Sequence, residues 1–265
     1  MLTKRVMLKK FSIFCIGLSL VVPLNANEYS FRKYAHVKSF YADLAPLVIE
    51  VSSKYKLPAA SILAIAGLES GYGSGYVSQI TGNILSLGAF KGDKELPSLY
   101  LPYSQSLKKV LFDPNEIKKH SSKDLSYKKR PKSLKRDYRP KPYAGTKNKL
   151  ELLKYSEKLR SKAHKTCLND FATRWIILDS NIKAFRNARL FLNKEISDNN
   201  IKILDSMKLN IAFINKIGGI PNSFNYRKTW PQKVKLIMNK VGLVALVDDM
   251  KYKKMSFNQA WENRK

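Results

Sequence analysis

Sulfur and imidazole are scarce in this chain. Its 265 residues hold two cysteines, Cys15 and Cys167, and three histidines. Cys15 lies inside an apolar N-terminal run, so a processed chain keeps only Cys167 and no internal disulfide is expected. The fold must then rest on its apolar core and its hydrogen bonds. His36, His120 and His164 lack the spacing of metal ligands, so neither a metal site nor a cofactor is expected. Cys167, followed by Leu168, reads as a small, partly buried residue rather than a nucleophile. Acid is scarce as well: 20 Asp and Glu stand against 49 Lys and Arg, a formal net charge of +29. Such a chain seeks an anionic partner, whether cell-wall carboxylates and phosphates, lipid headgroups or nucleic acid. Lysine, asparagine and isoleucine are abundant throughout, so part of this charge is compositional.

The N-terminus has the form of a targeting segment. Lys4, Arg5, Lys9 and Lys10 precede an apolar run from Phe11 to Leu24, and Leu24-Asn25-Ala26 offers a small-residue cleavage site. The pattern predicts a signal peptide over residues 1–26, with an uncleaved anchor as the alternative. The run is short for a transmembrane helix. Removing its four cations and no acids leaves +25 on residues 27–265. Export, to the periplasm or cell envelope, argues against a nucleic-acid partner. The charge then reads as electrostatic retention on the envelope.

The chain is organised around Ala64 to Gly75, which reads A-I-A-G-L-E-S-G-Y-G-S-G. Pro58 suits the first turn of a helix. Ala59 to Leu68 supplies good helix formers with Ile62, Ile65, Ala66 and Leu68 as apolar positions. Gly71, Gly73 and Gly75 stop that helix. Glu69 therefore falls in its last turn, the unfavourable end of the macrodipole for an anion. Leu68, Tyr72 and Tyr76 are positioned to desolvate it. Both effects raise a carboxyl pKa, as a general acid near neutral pH requires. On spacing alone, a solvated glutamate beside a turn is the commoner case.

Glu69-Ser70-Gly71-Tyr72-Gly73 resembles the E-S-G-[WY]-G motif of the endo-β-N-acetylglucosaminidase family, the bacterial peptidoglycan hydrolases that include flagellar and Bax-like enzymes. The family's next motif, N-N-L-F-G-I-K-G, is matched loosely by Thr81 to Gly92, with Asn83 and Lys91-Gly92 in place. The resemblance spans roughly residues 51–248 and is broken by an insertion. It implies a lysozyme-like α+β fold, predominantly helical, with a small basic lobe. It also implies hydrolysis of the β-1,4 bond between N-acetylglucosamine and N-acetylmuramic acid, with Glu69 as general acid. Tyr72, Asn83 and Trp175 are the substrate-side residues it suggests, Asn83 as a loop-shaping group. Trp175 is either a sugar-stacking face or a core residue.

The family's second acid lies in a T-x-E context that does not occur here. Glu157 is the nearest fit, with Glu151 second. Without either, the substrate's own acetamido group would attack the anomeric carbon. The family also places a tyrosine beside its active site. Phe224 and Tyr226 compete for that place, and Tyr226 keeps the hydroxyl. A lytic transglycosylase is a rival, although the G-L-M-Q-like stretch of those enzymes is missing. A non-catalytic wall-binding protein on a glycosidase-derived fold is another.

The remaining segments read as follows. Residues 27–50 predict a lead-in helix with Phe40, Leu44, Leu47 and Val48 on one face. Residues 51–250 form the main domain. Within it, residues 93–165 read as a solvated insertion, and Lys118 to Lys149 holds 13 basic residues against Asp124 and Asp137. Tyr127, Tyr138 and Tyr143 are interleaved there, as on sugar-stacking or nucleic-acid surfaces. Residues 149–162 look helical through Leu150, Leu153 and Leu159. Continuous helices are expected over residues 170–193, 200–217 and from Trp230 onward. The polar tail, residues 251–265, is expected to fray.

Overall fold

The computed structural model describes residues 29–90, 92–93, 99–129, 138–140 and 156–263. The proposed signal segment, Tyr143 and Glu151 lie outside the described residues, as does much of the basic stretch. What is described is a mainly helical α+β protein.

The long helix α1, Ala35–Tyr55, buries Phe40, Leu44 and Val48 along one face. It starts later and runs further than the predicted lead-in. Helix α2, Ala59–Ser70, is the middle of the molecule. Every residue from Ala59 to Gly67 is buried. A helix apolar on all sides must be surrounded, and α2 contacts α1 and the helices that follow Met207. Pro58 precedes it as N-cap and supplies no side-chain cap. That role falls to a remote residue: Asn210 Oδ1 accepts from Ser61 N at 2.8 Å and from Ser61 Oγ at 2.7 Å. Asn210 Nδ2 donates to the carbonyls of Leu204 and Ser206, both at 2.9 Å. Each polar atom of this fully buried amide is thereby satisfied.

After a short α3, Tyr76–Thr81, the chain enters the region expected to be solvated. It holds a three-stranded antiparallel sheet of β1 (Tyr100–Ser104), β2 (Lys109–Val110) and β3 (Leu125–Lys129), in order β2-β1-β3, with the four-residue α4, Pro114–Ile117, between β2 and β3. Its register pairs Tyr103 with Val110 and Ser126. The strands are too short, and Pro102 too intrusive, for an alternating pattern to emerge from sequence. Leu99 and Leu101 pack with Ile80 to seat the sheet on α3.

Helix α5, Glu157–Asp170, is capped by Ser156, whose Oγ accepts from Leu159 N at 3.3 Å. The single helix expected over 170–193 is two pieces. A π-turn at Phe171–Trp175 leads into a loop, and α6 starts at Lys183. The reason is local: Asp179, Ser180 and Asn181 are turn formers. Arg186 and Arg189 then hold the loop by donating to the carbonyls of Ser180 and Ile176. Leu178 consequently lies at the surface, 50 % exposed, while Trp175, Phe185 and Leu192 are buried. Residues 200–217 also divide, into a 3-10 turn at Ile201–Asp205 and α7, Met207–Ile217, capped by Ser206. Helix α8, Trp230–Val241, and α9, Leu243–Lys251, are separated by Gly242.

The tail does not fray where it is described. Helix α10, Phe257–Glu262, begins in a full capping box at Ser256 and Gln259. It inserts Trp261, 1 % exposed, against Tyr41. The buried Arg32 guanidinium lies over the indole and donates to the carbonyls of Val241, Ala260, Trp261 and Gly242. The segment that leads into α1 and the C-terminal helix are thus joined through one cation. Trp261→Ala should lower the unfolding free energy by about 3–5 kcal/mol, read from urea denaturation. A loss under 1 kcal/mol would show that the tail is peripheral.

Candidate functional site

Glu69 sits in the last turn of α2, half-buried, as its spacing predicts. Gly71 ends the helix at φ 56°, in the left-handed region that favours glycine. Tyr72 and Gly73 continue in that region, at φ 53° and 73°. The tight reversal is held by Ser70, whose Oγ donates to Ala66 O at 2.6 Å and accepts from Gly73 N at 2.8 Å.

The partner of the Glu69 carboxyl comes from far along the chain. Trp230 Nε1 donates to Oε1 at 2.7 Å. The indole reaches this place because Gly218 leaves room for it; a methyl group there would collide with the six-membered ring. Phe224 packs against the same indole at 5.2 Å. Burial raises the Glu69 pKa above the ordinary carboxyl value. The Trp230 hydrogen bond and the charge of Arg227 pull it partly back. The result is a carboxyl that holds its proton more tightly than a surface glutamate and has an indole N–H fixing its orientation.

Beside this pair lies a pocket of about 190 Å³ lined by Ser86, Phe90, Trp175, Phe185 and Phe224, among others. Two of its residues touch the acid pair. Phe224 packs on Trp230, and Ser86 Oγ donates to the Glu69 carbonyl at 3.3 Å. Trp175 lines this pocket but is only 4 % exposed, wedged between Phe90 at 4.5 Å and Tyr138 at 5.2 Å. Its bulk is core. Asn83 is buried and shapes the loop after α3. Its Oδ1 accepts from Leu87 N at 2.9 Å, and its Nδ2 donates to Leu87 O and Tyr138 O.

Three sequence-based candidates stand apart from Glu69. Tyr226 is 69 % exposed, and Phe224 holds the position toward the acid. The loop turns Tyr226 outward because its neighbour is the larger apolar anchor, packed on Phe171, Phe185 and Trp230. Glu157 is exposed in the first turn of α5. That helix packs on α1, whereas the Glu69 carboxyl faces α8. Tyr72 does not shield Glu69 either. It folds back over Gly67, where an added methyl would come within 2.5 Å of the Tyr41 hydroxyl and 3.2 Å of the Tyr72 ring. Gly67 and Glu69 are two residues apart, about 200° around the helix. Tyr72 therefore serves the opposite face of α2. Tyr76 turns toward Tyr127 in the sheet lobe.

Trp230 is the neighbour that sequence reasoning did not assign to Glu69, and of the two competing aromatics Phe224, not Tyr226, takes the place toward it. The Gly218-Gly219 pair ahead of Trp230-Pro231 was the available signal. Among the described residues, no group of three His, Cys, Asp or Glu side chains is placed to hold a metal ion. No described helix is long and apolar enough to cross a membrane. Comparison with protein-family models, characterised proteins and solved structures found no match to this chain.

The raised Glu69 pKa has two measurable consequences. Trp230→Phe removes a donor to the carboxylate, so the Glu69 pKa should rise further in a carbon-13 carboxyl titration; a fall would contradict the bond. A carboxyl whose folded pKa exceeds its unfolded value of about 4.3 stabilises the fold fully below that pH and loses this contribution as pH rises through the folded pKa. Glu69→Gln should therefore be at least as stable as the parent at pH 7. Its relative advantage should shrink toward pH 4, as measured by denaturation at both pH values.

Proposed function

We propose that this protein is an exported peptidoglycan hydrolase that cleaves the β-1,4 bond between N-acetylglucosamine and N-acetylmuramic acid. The observation that carries the reading is Glu69: a half-buried carboxyl at the C-terminal end of a core helix, with a raised pKa and a fixed indole partner. The resemblance of Glu69 to Gly73 to the glucosaminidase motif supports the substrate class. A helical body bearing a small antiparallel sheet is compatible with a lysozyme-like architecture.

Glu69 in its protonated form would donate to the glycosidic oxygen as the bond to the anomeric carbon breaks. Its raised pKa keeps a larger fraction protonated near neutral pH than a surface glutamate would have. The exposed position of Glu157 favours attack by the substrate's acetamido oxygen over a second protein carboxylate. The Phe90 and Phe224 side of the neighbouring pocket supplies apolar surface for a pyranose face. The high positive charge would hold the enzyme on anionic envelope polymers, with glycan strands as its substrate. One observation favours a non-catalytic wall-binding protein instead: Phe224, which has no hydroxyl, stands where the resembled family has its tyrosine.

The purified protein and Glu69→Gln should be incubated with peptidoglycan and the new chain ends identified by mass spectrometry. The parent should release reducing N-acetylglucosamine ends, and the variant should lose at least about 100-fold of that rate. Anhydromuramic ends would assign a lytic transglycosylase. Binding to peptidoglycan without cleavage by either protein would assign the non-catalytic reading.

A further inference from the structure

On the opposite side of α2 from Glu69 lies a larger pocket, of about 350 Å³, where α1, the Tyr72–Ser74 turn, α3 and α5 meet. His164 of α5 faces it. That imidazole is only 6 % exposed, and no described residue hydrogen-bonds to it. Its ring nitrogens are not among the fully enclosed, unsatisfied polar atoms, so they open onto the pocket and can pair with what it holds. One turn earlier, Arg160 enters the same pocket. A guanidinium offers five N–H donors. Among the described residues the side-chain partner of Arg160 is Asp43, at a long 3.4 Å, with both side chains substantially exposed. An exposed pair of that geometry contributes about 1 kcal/mol or less, so a better-placed anion can displace it. His36, Ser39 and Gln79 add further donors around the rim, and Tyr72 supplies an aromatic wall. Arg160 is the pocket's one permanent cation, and Asp43 is its one acidic side chain.

We propose that this pocket binds the oxyanion of a small ligand, a carboxylate or phosphate group, held by Arg160 and His164 with His36 at the rim. The planar guanidinium recognises either oxyanion through paired N–H bonds. The titratable and charged groups facing His164 are Arg160 on its own helix, His36 and Asp43 from α1, and Tyr72 from the turn. Burial first, and the Arg160 charge second, hold the His164 pKa down to about 4. An anion between the two offsets the Arg160 charge and gives the imidazole a partner. Its binding therefore moves the His164 titration upward. The site is separate from the Glu69 cleft and does not rest on the glycosidase reading.

The test is imidazole proton NMR of the full chain during titration with sodium acetate and, separately, with inorganic phosphate. Each anion should shift the His164 resonances saturably and raise their titration midpoint from about 4. Arg160→Gln should weaken saturation about tenfold or more. Asp43→Asn, which removes the competing carboxylate, should tighten it. Glu69→Gln should leave it unchanged, so a failed hydrolase assay and a failed anion site remain distinguishable. Saturation at lower phosphate than acetate assigns a phosphoryl ligand, and the reverse order a carboxylate ligand. Resonances that do not move with either anion, or that move equally in Arg160→Gln, would overturn the site; the second result would trace the shift to the diffuse positive charge of the surface.

Discussion

The rest of the structure depends on the burial of α2. From Ala59 to Gly67 this helix presents no face to water. A helix of that kind has no stable position of its own and takes one only when other helices enclose it. Its first turn is therefore satisfied by Asn210 rather than by a local cap. That single amide ties the start of α2 to the turn before α7. Because α8 begins at Trp230, the enclosure of α2 also delivers the indole to Glu69.

The end of α2 is where enclosure stops, and its two sides have different chemistry. On one side Glu69 meets an indole and a pocket lined with aromatic side chains. On the other, Tyr72 folds back over Gly67 and walls a pocket carrying Arg160 and an unpartnered His164. The reversal through Gly71, Tyr72 and Gly73, all at positive φ, separates these two sides within three residues. A β-branched residue at any of the three would be strained in that conformation. The motif's glycines thus serve backbone geometry first.

Most of the described lysines and arginines lie outside this enclosure. Arg32, which is buried, donates to backbone carbonyls and acts as a clasp between the segment before α1 and the backbone at Gly242 and Ala260. Lys165 and Glu50, Lys38 and Glu262, and Arg160 and Asp43 pair at the surface, where such pairs add little stability. The sheet lobe pairs charge with aromatic faces, as where Lys128 Nζ stands 3.2 Å from the Tyr103 ring centroid. The core keeps its cohesion from apolar packing.

The local elements were legible in the sequence where one residue type decides them. Gly71 had to stop α2, so Glu69 had to lie in the last turn. The apolar stripes of α1 and α8 had to face inward. Legibility failed where a distant partner decides. Asp179 to Asn181 interrupted a periodic helix because Arg186 and Arg189 hold the loop from across it. The tail looked polar, yet Ala260 and Trp261 are core. Tyr226 and Phe224 are two residues apart, and only the packing of Phe224 on Trp230 turns the hydroxyl outward. Sequence by itself determined that an acid ends a core helix at a glycine reversal. Tertiary structure alone decided what that acid touches. Hydrogen-bond and ring partners 161 residues apart, as Glu69 and Trp230 are, follow from how helices enclose one another and leave no trace in local spacing.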